Sequence, residues 1–395
     1  MSRISDRGAP HERPRLFTPA FITLGVCELA YFLAAGVTIP LTPLFAAGPL
    51  GADEVLVGVT VGAFSATALV FRPVAGRVAD RRGRRRLLIG GAALCALVLV
   101  ATSVTTTLAV LIGLRMLLGV AEAFFFVAGF AALADLAPPG RTGEALSFNS
   151  LALYLGIAFG PAIGEWLLDV GGFTVAWLGG AGLAVTASIL AVFLPETGNP
   201  GSRGAGRIRF IHPAAVGPGL VLLAGIIAMG GFLGFAALYS RERGLDSSTA
   251  VLLALGLAVV GCRIVFATLP DRMQPFRLGA VALALCAAGL VGAAVVPTIA
   301  GLLASAVVLG VGVAFITPAM FTATVSRVRP AERGLALGTA SVFIDLGLGG
   351  GPVLVGLVAG IATIPAGLVA AAAVAAMGAF GATLVARRTP VLSAS

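Results

Sequence analysis

The second half of this 395-residue chain repeats the first at a constant offset of 191 positions. Arg72, Asp80 and Arg81 recur as Arg263, Asp271 and Arg272, and Gly156, Gly160 and Pro161 recur as Gly347, Gly351 and Pro352. Gly119 with Gly310, Pro139 with Pro330 and Gly143 with Gly334 keep the same register. An apolar chain can match itself by chance at alanine or leucine, but glycine, proline and charge in one register mark a duplicated unit. Two parallel copies of one membrane half, with a site between them, are a transporter architecture.

Composition places both copies in a bilayer. The chain is 58% hydrophobic and 11% charged, whereas soluble domains usually carry about 25% charge. A crossing takes about 20 apolar residues, and twelve such runs are present: 18–42, 55–75, 87–106, 107–134, 144–168, 172–194, 213–239, 247–268, 278–297, 298–324, 334–359 and 363–386. They are too long and too little alternating for barrel strands. The expected organisation is a tail at 1–17, a six-helix bundle at 18–194, a linker at 195–212 rich in Gly, Pro and Arg, a second bundle at 213–388 and a tail at 389–395. The first run exceeds a signal-peptide core, so it reads as a retained helix.

A net charge of +9 would suggest nucleic acid in a soluble protein. Here all 26 basic residues are arginine, and 21 of them fall at the N-terminus, the even-numbered loops and the C-terminus. By the positive-inside rule both termini are cytoplasmic, with anionic lipid headgroups as neighbours. The absence of lysine removes a Walker A lysine and a Schiff-base lysine. The two histidines, His11 and His212, lie in the N-terminal tail and the linker, and the four cysteines stand singly in apolar runs. No metal, cofactor or nucleophile–base pair is expected, and no enzyme.

Between the second and third runs stands Gly76-Arg77-Val78-Ala79-Asp80-Arg81-Arg82-Gly83-Arg84-Arg85-Arg86. It closely resembles the loop signature of the major facilitator superfamily, G-x-x-x-D-R-x-G-R-R. Asp271-Arg272 is a weaker copy. Asp135, followed by Pro138, Pro139 and Arg141, also fits the family pattern. The resemblance implies a cytoplasmic charge network of Asp80, Arg81 and Asp135 that closes an inner gate. The fifth run carries Gly156, Gly160, Pro161 and Gly164, resembling the family's antiporter motif G-x-x-x-G-P-x-x-G-G, with Glu165 in place of the last glycine. Glycines at that spacing make a smooth face for close helix packing.

Charge inside a membrane span costs about 2.5–3.5 kcal/mol on insertion scales and marks function or pairing. Arg115, Gly119 and Glu122 share one helical face, with Arg115 and Glu122 about 10 Å apart along the axis, a separation that water or substrate could bridge. Glu28 and Asp345 lie halfway along their helices, where a desolvated carboxylate suits proton loading. For each acid, a structural ion pair with Arg115, Arg72 or Arg263 is the alternative. Glu165 and Asp169, near the outer end of the fifth helix, read as solvated or vestibular. Cavity candidates are Tyr31, Phe32, Phe126, Asn149, Tyr154, Phe232, Phe235, Tyr239, Phe315 and Phe321, a mostly apolar set that suits a lipophilic solute.

The chain is thus identified as resembling the drug:proton antiporter branch of that superfamily: an all-α integral membrane protein of twelve transmembrane helices in two pseudo-symmetric six-helix bundles. The resemblance implies a monomer in the inner (plasma) membrane that exports an amphiphilic molecule in exchange for protons by alternating access. A proton-coupled importer of a nutrient or siderophore on the same fold is the alternative.

Overall fold

The computed structural model describes residues 16–138, 142–197, 212–296, 298–329 and 332–388, apart from the side chains of residues 142–150 and of Asp271. The first half comprises α1 (Pro19–Ala47), α2 (Glu54–Arg82), α3 (Arg84–Ser103), α4 (Leu108–Leu136) and α5 (Thr142–Val192). The second comprises α6 (Pro213–Glu242), α7 (Thr249–Val265), the four-residue α8 (Leu269–Arg272), α9 (Pro275–Val295), α10 (Ile299–Val325), α11 (Arg333–Ile361) and α12 (Ile364–Arg388). The sequence offset reappears in the helix starts. Arg84, Leu108 and Thr142 open α3, α4 and α5, and Pro275, Ile299 and Arg333, each 191 residues later, open α9, α10 and α11.

Ten of the described helices are long and apolar enough to cross a membrane. One of them, α5, doubles back. Its backbone leaves helical geometry at Gly171 and Gly172, where Gly172 has φ +72°, a conformation that a Cβ atom disfavours. Gly164 and Gly180, eight residues on either side of Gly172, both pack against Val37 of α1. The equivalent break in the second half separates α11 from α12 at Ala362 and Thr363. The halves differ elsewhere. Where α2 runs unbroken through Ala79, its counterpart is interrupted into α7 and α8, and Pro270, the residue equivalent to Ala79, sits in the first turn of α8.

Local chemistry fixes the ends. Asp53 caps α2 by accepting from the Leu56 amide at 2.8 Å, and Thr298 caps α10 by accepting from Gly301 at 3.0 Å. Gly83, at φ +93°, ends α2 and opens α3. A Cβ there would strike the Glu196 carboxylate, which accepts from the Arg84 amide at 2.7 Å and so satisfies a free donor of α3.

The two halves meet along two seams related by the repeat, α2 against α11 and α5 against α7. In the first, Gly58 lies against Pro352 and Gly356, and Gly62 against Gly349 and Val353, so backbones touch without intervening side chains. In the second, Gly256 of α7 meets Ala158 of α5. Both seams run inward from the end of the bundle opposite the termini, here termed the distal end. Toward the terminal end the first seam opens: a Cβ on Gly76 of α2 or on Gly334 or Gly338 of α11 would meet nothing within 4 Å.

A Cβ on Gly62 would sit 2.6 Å from the Gly349 carbonyl oxygen. Gly62→Val is therefore expected to lower stability by about 1–3 kcal/mol through overpacking. Gly338→Ala, with open space around it, should be neutral or raise stability by about 0.5–1 kcal/mol. Thermal unfolding in detergent checks both.

Candidate functional site

Arg72 of α2 stands where the first seam ends. Its Nη2 donates to Oδ1 of Asp345 in α11 at 2.9 Å, and its Nε lies 2.6 Å from Oδ2. This two-point guanidinium–carboxylate contact joins the halves. Asp345 is only 2% exposed. On its other side the same guanidinium lies 3.6 Å from Glu122 Oε1 of α4, and it covers the Phe126 ring at 4.5 Å. One cation is thus shared by a carboxylate of each half. Tyr31 stacks on Phe125 at 3.8 Å, and Phe32 meets Phe125 and Phe126 edge-on. The charged group therefore borders an aromatic wall built from α1 and α4.

The repeat places a counterpart at the second seam. Arg263, 191 residues after Arg72, donates from Nη2 to the Tyr154 hydroxyl at 3.0 Å and lies over that ring at 4.3 Å. Tyr154 occupies the position equivalent to Asp345. The same inter-half contact is ionic in one seam and made to a phenol in the other.

Arg115 does not pair with Glu122, because Glu122 is engaged by Arg72 from α2. Only 8% exposed, Arg115 donates to Thr38 Oγ1 at 3.4 Å and to the Val61 carbonyl at 3.2 Å, and it faces the Phe64 ring. Gly119, one turn on, lets α4 approach the Phe64 backbone of α2. Glu28 is buried in α1 with its carboxylate against Gly129 of α4, inside the first half. Glu165 is the clearest departure from the sequence reading. It is 4% exposed and bonded to the start of α7, because the seam folds α7 over it. Phe232, Phe235, Tyr239 and Phe315 are buried and Phe321 partly buried within the second half, and Tyr239 donates to the Ala293 carbonyl at 2.7 Å.

Gly156, Gly160 and Gly164 face Phe32, Gly36 and Val37 of α1, and Gly347 and Gly351 face α6 in the same way. Pro161 lies within α5. This glycine face holds each half together, while the opposite face of the helix, with Tyr154 and Ala158, meets the other half. In the loop signature, Arg84 is the organiser. Its Nε contacts Asp135 at 3.0 Å and its Nη2 lies 3.7 Å from Asp80. Arg81 is exposed, Arg85 half-buried and Arg272 exposed, and none of the three makes an ion pair among the described residues. Arg141 lies outside the described residues, as do the side chains of Asn149 and Asp271. Arg72 entered the sequence reading only as a possible structural partner of the embedded acids, and for Asp345 and Glu122 that ion pair is the one present. The further signal of its importance was an arginine inside an apolar run that recurs in the second copy.

The family model described as Major Facilitator Superfamily matches residues 24–302. The chain belongs to this superfamily of membrane transporters. It is 29% identical over 333 residues to an uncharacterized MFS-type transporter of Salmonella typhimurium, covering 80% of this chain and 83% of that protein. It is 31% identical to one of Burkholderia mallei, covering 80% of each. Among solved structures, a bacterial homolog of the human lysosomal transporter Spinster, in an inward-facing and occupied conformation, superposes with a TM-score of 0.77 over 94% of this chain and 97% of that one, at 15% identity. A POT family transporter in complex with 5-aminolevulinic acid gives 0.79 over 93% and 96%, at 10% identity. These two carry the fold alone. The chain is a multi-pass integral membrane protein with the helical architecture of the major facilitators.

In this transporter the two acids around Arg72 are unequal. Asp345→Asn leaves a buried guanidinium with Glu122 only at 3.6 Å, and stripping one partner from a buried pair typically costs about 3–5 kcal/mol. Glu122→Gln leaves the shorter Asp345 contact intact and should cost less than Asp345→Asn. Unfolding midpoints in detergent should separate the two variants in that order.

Proposed function

We propose that the chain is a twelve-crossing secondary transporter that exports an amphiphilic small molecule in exchange for protons by alternating access. The twelve crossings are α1 to α4, the two arms of α5, α6, α7 with α8, and α9 to α12. By the positive-inside rule we put the terminal end, with Gly83 and its arginine cluster, on the cytoplasmic side, and we take the protein to be a monomer of the inner (plasma) membrane. The seams then close the external side and part toward the cytoplasm.

The observation that carries the reading is Arg72 held between Asp345 of one half and Glu122 of the other. Protonation of Asp345 removes the charge that ties α2 to α11, and Glu122 is positioned to keep the released guanidinium compensated within its own half. The halves are then free to rock, and the proton leaves on the other side when Arg72 returns to Asp345. The partly buried Phe126 ring beside this group, backed by the buried Tyr31, Phe32 and Phe125, suits an amphiphile whose apolar part packs there. Glu28, buried between α1 and α4, is a second proton candidate. A membrane potential of 100 mV supplies about 2.3 kcal/mol for each charge moved, enough for roughly a fiftyfold concentration ratio.

Proteoliposomes containing a pH-sensitive dye test this reading with a panel of lipophilic cations and neutral drugs. The expected result is substrate-induced proton release from the lumen, abolished by Asp345→Asn and reduced by Glu122→Gln, with Glu28→Gln distinguishing the second candidate. Proton movement unaltered in all three variants would remove these acids from coupling. Substrate uptake driven with the proton gradient, rather than against it, would favour the importer.

A further inference from the structure

The α5 signature ends in Glu165, and this carboxylate is saturated by the other half. Oε1 accepts from the Ser248 amide at 3.0 Å and from the Ser248 hydroxyl at 2.6 Å. Oε2 accepts from the Thr249 amide at 2.8 Å, from the Thr249 hydroxyl at 2.6 Å and from the Ser247 hydroxyl. Five donors fill the roughly four lone-pair sites of a carboxylate. They come from three successive residues at the start of α7, where unpaired amides give the helix its positive end. Ser248, in the N-cap position of α7, makes no capping bond with its own side chain. The cap is supplied by α5, across the boundary between the halves.

The other seam is built differently at the equivalent place. There α2 is capped by its own Asp53. Gly356, the residue 191 positions after Glu165, packs its backbone against Glu54 and Gly58. Parting α2 from α11 at the distal end breaks steric contact alone. Parting α5 from α7 breaks charge-assisted hydrogen bonds, which are roughly twice as strong as neutral ones, and uncaps a helix.

We propose that Glu165 is a positioning residue for the transport cycle: its carboxylate holds the start of α7 against α5, sets how much of the population keeps the distal end closed, and releases α7 when that end opens. The inference rests on the reading that the halves rock.

The test is a pulsed electron-paramagnetic distance measurement on full-length protein in lipid nanodiscs. Spin labels replace Thr106 and Val296, exposed positions in the distal loops of the two halves, and Cys262, the one native cysteine that is not buried, is replaced by serine. Glu165→Gln should raise the ratio of long to short distances roughly tenfold, the equivalent of one charge-assisted bond lost from the closed state. A variant carrying Ser247→Ala, Ser248→Ala and Thr249→Val keeps the carboxylate and removes three donors. It should shift the ratio in the same direction, and it carries the test if Glu165→Gln fails to fold. A parent with two distances whose ratio neither variant changes, even with a lowered unfolding temperature, would make Glu165 a structural cap only and overturn the inference. One unchanging distance in parent and variants alike would overturn the rocking reading together with it.

Discussion

The structure depends on a single guanidinium that two halves of the chain share. A positive charge inside an apolar bundle is stable only when an opposite charge or a full set of acceptors surrounds it. Arg72 obtains this from Asp345 across the inter-half boundary and from Glu122 within its own half. Its position has consequences along the whole seam. Above it, toward the distal end, Gly58, Gly62, Gly349 and Gly356 bring α2 and α11 into backbone contact. Below it, the same helices have open space at Gly76 and Gly338. The ion pair lies at the boundary between the closed and the parted length of the interface, where a change of charge has the greatest leverage on which end is open.

Duplication supplies the frame, and divergence at a few positions supplies direction. The seams are copies, yet position 345 is aspartate where position 154 is tyrosine, and position 356 is glycine where position 165 is glutamate. The partner of Arg263 is a hydroxyl and the partner of Arg72 a carboxylate, so at this level only the first seam joins opposite charges across the halves. Conversely, the distal contact is steric in the first seam and made by charge-assisted hydrogen bonds in the second. Each seam carries one carboxylate-mediated inter-half contact, at opposite ends of its closed length, and a symmetrical scaffold is made to work asymmetrically.

Much of the frame was legible in the sequence because helix register is local and the repeat is exact in spacing. The offset that relates Gly156 to Gly347 also relates the starts of α5 and α11. The turn that divides α5 lies between two apolar runs that the sequence already separates at residue 171. What escaped the sequence was contact between helices. Periodicity placed Arg115 and Glu122 on one face, but it carries nothing about α2, whose Arg72 takes Glu122 instead. The bond from Arg72 to Asp345 spans 273 residues, and helical spacing cannot reach that far. Glu165 read as solvated because it lies near a helix end. Ser247-Ser248-Thr249, immediately before an apolar run, is a helix-start signature that reads as self-capped, and that α5 supplies the acid instead is visible only in the contacts.

The account turns on the charge of Asp345 controlling whether α2 and α11 stay together. The most direct measurement is the distance between spin labels replacing Arg82 and Arg333, exposed at the terminal ends of these helices, followed from acidic to alkaline pH in the parent and in Asp345→Asn. The expected distance distribution changes with pH in the parent and is fixed, at the parent's low-pH form, in the variant. The same pH dependence in both proteins would contradict it.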